Sequence, residues 1–102
     1  MISKFMSRIK RINTLIKQLD KKTEKSNNYS IESMREHIEE IRSLISKGDK
    51  HWAAETLDVL IHCLLLLDRN NFQVEEINEL FNIRCKRFEE KILRQARTRQ
   101  VN

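Results

Sequence analysis

His51–Arg69, HWAAETLDVLIHCLLLLDR, decides the fold of this chain. From Val59 to Leu67 every residue is apolar except His62. A stretch this long with neither Gly nor Pro reads as a helix, and a helix apolar nearly all round must be covered nearly all round. Four of its polar side chains recur at helical intervals. His51, Glu55, Asp58 and His62 follow i, i+4, i+7, i+11 and draw one polar stripe down an otherwise apolar cylinder. A carboxylate in such surroundings needs a partner or a metal.

Outward from this segment, the pattern predicts three more helices. Towards the N-terminus, Ser30 is the expected N-cap of a helix that carries Ile31, Met34, Ile38, Ile41, Leu44 and Ile45 and stops at about Lys47, with Gly48 and Asp49 closing it. A polar loop, Lys22 to Tyr29, is expected before it. A first helix over 2–22 follows from the stripe Ile2, Phe5, Ile9, Ile12, Ile16 and Leu19. Towards the C-terminus, the turn Asp68-Arg69-Asn70-Asn71 leads into a fourth helix, about Gln73 to Arg97. Its expected buried face is Val74, Ile77, Phe81, Cys85, Phe88 and Ile92, and the basic tail 98–102 is expected to fray. One Gly and no Pro leave nothing to build sheets and tight turns from. The expected fold is therefore all-α, a four-helix antiparallel bundle over a single domain, residues 1–102. So short a chain cannot cover its own apolar helix, so an oligomer with a shared helical core is expected, a homodimer or homotetramer.

The net charge of +5 is unevenly spread. Residues 1–25 hold eight basic and two acidic side chains, residues 26–82 five and eleven, and residues 83–102 seven and two. An acidic middle between basic ends suits a metal site ringed by phosphate-binding groups, and equally suits helix faces exchanging salt bridges. Nucleic acid is not favoured as a partner, because no aromatics interleave with the basic residues to make a stacking platform. No apolar run reaches the roughly 18–20 residues that span a bilayer, so no membrane is expected. The first 19 residues are basic and amphipathic like a transit peptide, but their regularity is that of a core helix. Cys63 and Cys85 lie among apolar neighbours with no metal spacing, and read as buried, reduced thiols of a cytoplasmic protein.

Two carboxylate pairs carry the chemistry. Glu36 and Glu39 form an ExxE, Glu55 and Asp58 an ExxD, with 15 residues between. Side chains three apart share a helix face, so each pair can aim two oxygens at one ion, and four such ligands suit Mg²⁺, with Mn²⁺ also possible. The plain alternative is solvated surface charge for the first pair. For the second it is burial against Arg or Lys from the first or last helix. His62 reads as a hydrogen-bonded core histidine, His51 as exposed, and Trp52 as packing.

This arrangement resembles the MazG-like all-α nucleotide pyrophosphohydrolases. Their signature is ExxE, a gap of one to three dozen residues, then ExxD, on adjacent helices. Here it stands as Glu36-His37-Ile38-Glu39 and Glu55-Thr56-Leu57-Asp58, followed by VLIHCLLLLDR and NNFQVEEI, and the resemblance covers about residues 31–90. Many members begin the first motif with two adjacent glutamates, where this chain has Arg35. The resemblance implies Mg²⁺-dependent hydrolysis of a nucleoside triphosphate to the monophosphate and pyrophosphate. It implies metal ligands at Glu36, Glu39, Glu55 and Asp58, with Glu39 taking the proton of the attacking water. Arg84 and Lys86 would stabilise the leaving pyrophosphate, and Trp52 stands among the candidates for base selection. The competing reading is a non-catalytic helical oligomer whose basic terminal helices bind nucleic acid or an acidic protein. A di-iron bundle ranks below both, because neither motif supplies a histidine at i+3.

Overall fold

A computed structural model describes residues 2–19 and 22–101, with side chains over 3–19 and 22–99. The described residues are all-α: α1 Ile2–Leu19, α2 Thr23–Ser46, α3 Trp52–Arg69 and α4 Val74–Val101, with no strand among them. None of these helices is long and apolar enough to cross a membrane. The chain divides into two compact units, Met1–Phe72 with α1 to α3, and Gln73–Asn102 with α4.

In the first unit α2 and α3 run antiparallel. Asn27 pairs with Asn70, Ser30 with Arg69, Met34 with Cys63 and His37 with Glu55, so rising numbers on one helix meet falling numbers on the other. The loop expected over Lys22 to Tyr29 is a correction: only Lys22 of this stretch lies outside the helix, and α2 begins at Thr23. Asn and Ser favour loops because their side chains compete for backbone hydrogen bonds. Here tertiary partners win. Ser26, Ser30 and Ser33 are buried, and Arg69 Nη1 donates to Asn27 Oδ1 at 3.2 Å and Ser30 Oγ at 3.1 Å. Burial pushes the Arg69 guanidinium below its ordinary value, against the pull of Asp68.

The two ends of this hairpin use the same device. At the end of α2, Gly48 N–H donates to Ile45 O at 3.0 Å and Asp49 N–H to Leu44 O at 2.9 Å, with Gly48 at φ +71°. At the end of α3, Asn71 N–H donates to Asp68 O at 3.0 Å and Phe72 N–H to Leu67 O at 3.1 Å, with Asn71 at φ +73°. Both are Schellman closures, in which one left-handed residue lets the chain satisfy the last carbonyls.

α1 is seated on α3 by polar contacts. Asn13 Nδ2 donates to Leu65 O at 3.0 Å and to Asp68 Oδ2 at 2.8 Å, and Lys10 Nζ donates to Asp68 Oδ1 at 2.9 Å. Its inward line is Met6 and Ile9, buried, with Asn13 and Ile16 half-buried; of the expected stripe Ile9 and Ile16 lie on it, while Phe5, Ile12 and Leu19 are exposed. The second unit is a single long helix. Gln73 N–H donates to Glu76 Oε1 at 3.1 Å, half of a capping box. The helix continues to Val101, so the fraying expected from residue 98 is not seen in the described part of the tail. Phe81, Cys85, Phe88 and Ile92, expected to be buried, are exposed.

Candidate metal centre

α3 turns its polar stripe towards α2. Glu55 is more enclosed than His51 or Asp58, its side chain 16 % exposed. His37 Nδ1 of α2 is hydrogen-bonded to Glu55 Oε2 and stands 3.9 Å from Asp58 Oδ2. His51 Nε2, one turn before Glu55 on the same helix face, approaches the other oxygen, Oε1, at 3.6 Å. His37, Glu55 and Asp58 thus offer one ligand atom each, all within 4.8 Å of one another. The Asp58 side chain is 47 % exposed, which opens the cluster to solvent on one side.

The His62 ring lies behind His37, with centroids 5.7 Å apart and planes 31° apart, and its other neighbour is Tyr29 at 6.3 Å, edge-on. Its Nδ1 is buried with no hydrogen-bond partner among the described residues, so the hydrogen bond expected of a core histidine does not form at this nitrogen. Burial, then His37 and Arg69, push the imidazole below its ordinary value, while Asp58 pulls the other way. The polar stripe therefore forms, but the half-buried Glu55 carboxylate faces imidazoles, with no Arg or Lys partner among the described residues.

The structure brings Glu55 and Asp58 together and leaves Glu36 and Glu39 outside the cluster, both exposed. Helix geometry gives the reason. At about 100° per residue, Glu36 lies roughly 100° and Glu39 roughly 160° round α2 from His37, the residue that faces α3. Arg35 sits on the outer face with Glu32, 3.8 Å away. Trp52 opens α3, partly exposed, and Arg84 and Lys86 are exposed on α4. His37 is the residue sequence reasoning passed over. Its spacing carried the signal, three after Met34 and four before Ile41, which places an imidazole on the apolar face.

A separate groove of about 320 Å³ lies at the other end of α3, lined by Lys10, Asn13, Lys17, Thr23, Ser26 and Arg69 among others. Fourteen residues of helix, roughly 20 Å, part Arg69 from Glu55, so it is no part of the His37–Glu55–Asp58 cluster. No protein-family model, curated protein or solved structure matches this chain.

Proposed function

We propose that this chain is a divalent-metal-dependent nucleoside triphosphate pyrophosphohydrolase of the MazG-like kind, releasing a nucleoside monophosphate and pyrophosphate. The observation that carries the reading is the Glu55–Asp58 pair. Two carboxylates one turn apart face a second helix, one enclosed and the other half open to water. Their oxygens suit Mg²⁺ or Mn²⁺, with α2 supplying the remaining donors. Such an ion, when bound, neutralises triphosphate charge and lowers the pKa of a bound water. The resemblance gives the proton of the attacking water to Glu39, but at about 160° round α2 from His37 that side chain points away from the pair. It gives the charge on pyrophosphate to Arg84 and Lys86, which belong to the separate α4 unit.

The same reading includes a four-helix antiparallel bundle completed by self-association. The apolar side of α3 supports it: Leu57, Leu60 and Ile61 are 59 %, 43 % and 40 % exposed. Ile31, Ile38 and Ile45, spaced by seven on α2, are exposed as well. Residues seven apart return to one helix face, as in helices that pack side by side.

Pyrophosphate release from a panel of ribo- and deoxyribonucleoside triphosphates, with Mg²⁺ or Mn²⁺, tests the proposal. At least one nucleotide is expected to turn over. Glu55→Gln and Asp58→Asn are each expected to lower the rate at least about tenfold, the smaller loss typical of removing even an outer-shell group. A folded protein that hydrolyses none of them refutes it. The second reading, a non-catalytic oligomer binding nucleic acid or an acidic protein, is favoured by one observation. His37 is already hydrogen-bonded to Glu55, so one oxygen of this half-buried carboxylate has a partner without an ion.

A further inference from the structure

We propose that His37 is the ligand from α2, and that His37, Glu55 and Asp58 form a mixed imidazole–carboxylate site for a first-row transition-metal ion of the Co²⁺ or Zn²⁺ class in preference to Mg²⁺. The inference rests on the metal-binding half of the reading above and is independent of catalysis.

Four observations carry it. The ligand atoms of the three residues lie within 4.8 Å of one another, and bonds of about 2.0–2.2 Å to one ion hold such atoms roughly 3–4 Å apart, a small contraction. His37 Nδ1 is already turned to both carboxylates, so the proton in its hydrogen bond to Glu55 occupies the place an ion would take. Two carboxylates and a neutral imidazole balance a divalent charge, and the exposed side of Asp58 leaves coordination positions open to water or a phosphate oxygen. The rest of the site holds the imidazole in place: the His62 ring backs His37, and His51 stands against the second oxygen of Glu55. Hydration makes Mg²⁺ reluctant to accept nitrogen, whereas imidazole nitrogen suits the later first-row metals.

The helix register makes the choice of ligand specific. Of the three glutamates near His37, Glu40 lies about 60° round α2 from it, closer than Glu36 at about 100° or Glu39 at about 160°. A fourth ligand from α2 is therefore Glu40, three residues on from His37, giving an HxxE opposite the ExxD.

The test uses the full chain, untagged, stripped with chelator and without nucleotide. Co²⁺ is titrated while its visible absorption is followed, and Zn²⁺ and Mg²⁺ are then used as competitors. The expected result is saturation at one ion per chain, displacement by stoichiometric Zn²⁺, and at least a hundredfold excess of Mg²⁺ needed for the same effect. Pulsed electron paramagnetic resonance on the Mn²⁺-loaded wild type is expected to show nitrogen coupling, which needs no variant to fold. His37→Gln is expected to weaken Co²⁺ binding at least tenfold, and Glu40→Gln to weaken it less. Glu36→Gln and Glu39→Gln are expected to leave it unchanged. His37→Glu, which keeps a ligand and should fold where the amide fails, is expected to shift preference towards Mg²⁺. Absence of saturable binding, oxygen-only coordination, equal affinity for Mg²⁺ and Co²⁺, or full binding by His37→Gln would each overturn the proposal. Metal bound through His37 without any hydrolysis leaves it standing and removes the enzyme reading instead.

Discussion

Removing the Asp68 carboxylate should unseat α1 more than removing either of its donors. The Asp68 side chain is 10 % exposed and accepts from Asn13 Nδ2 at 2.8 Å and from Lys10 Nζ at 2.9 Å. A hydrogen bond to a charged group contributes about 1.5–3 kcal/mol, which sets the scale for the Asn13 contact. Lys10 is 49 % exposed and rehydrates on losing its partner, so its share is about 0–1 kcal/mol. Asp68→Ala loses both, about 1.5–4 kcal/mol together, while Asn13 keeps its bond to Leu65 O. Asn13→Ala should cost less, about 1–2 kcal/mol, because it also removes the buried Oδ1 that has no partner. Lys10→Ala should cost under about 1 kcal/mol. Urea unfolding followed by circular dichroism gives the three values from the midpoints, provided the slopes agree. On heating, the Asp68 loss corresponds to a fall of about 6–32 °C, at roughly 4–8 °C per kcal/mol for a domain this small. Equal costs for Asp68→Ala and Lys10→Ala would refute the reasoning, since the exposed ion pair would then outweigh the buried amide contact.

Three further outcomes follow from the same structure. Cys85 is exposed while burial pushes the Cys63 thiol up, so a thiol reagent at pH 8 should label Cys85 at least tenfold faster, and equal rates would contradict the burial of Cys63. The His62 imidazole is pushed below its ordinary value by burial and by His37, so the unfolded chain takes the proton first. Stability from that neutral ring is present above about pH 6.5 and lost as pH falls through the lowered value; in chelator, wild type should lose more stability than His62→Leu between pH 7.5 and 5.5, and parallel losses would count against it. Gly48 has open space where a side chain would sit but φ +71°, so Gly48→Ala should cost about 1–2 kcal/mol in the same urea assay, all of it backbone strain. A neutral result would mean that the Schellman turn re-forms in another conformation.

Much of the helix pattern was legible because it rests on local rules. Gly48 closed α2 where it was expected to, and the apolar run from Val59 to Leu67 marked α3. The start of α2 was not legible, because Asn27, Asn28 and Tyr29 read as a loop and Ser30 as the N-cap until Arg69, 39 residues beyond Ser30, supplies partners for Asn27 and Ser30. Cys85 and Phe88 show a different failure. Their helical spacing is sound, but periodicity names a face and does not say what covers it. At the site, Glu55 and Asp58 announced themselves by standing in an apolar helix. Glu36 and Glu39 matched by spacing alone, and spacing is unchanged when the pattern is read one residue out of register. His37 fell between them because a motif written in glutamates has no place for it.

The orientation of α3 ties the site to the rest of the fold. Leu57 and Leu60 lie about 160° and 140° round the helix from Glu55, so a helix cannot bury both sides against one neighbour. α3 puts Glu55 against α2 and leaves Leu57 59 % exposed. Burying a leucine fully gains about 1.5–3 kcal/mol, while taking a carboxylate out of water costs several unless it is paired. Stability alone would turn the helix the other way, leucines inward and carboxylates to the solvent. Two things offset the observed choice: donors that satisfy Glu55, and a cover for the leucines. His37 supplies the first within the chain, with His51 Nε2 3.6 Å from the second oxygen. Self-association is the proposed source of the second, and it couples the two faces of one helix. A dimer that covers Leu57 and Leu60 fixes the rotation of α3 and with it the direction of Glu55 and Asp58. Leu57→Asp should therefore do more than dissociate the oligomer in sedimentation. It should also weaken Co²⁺ binding although residue 57 offers no ligand to the site, and a dissociated variant that bound Co²⁺ as the wild type does would show that α2 alone holds the centre.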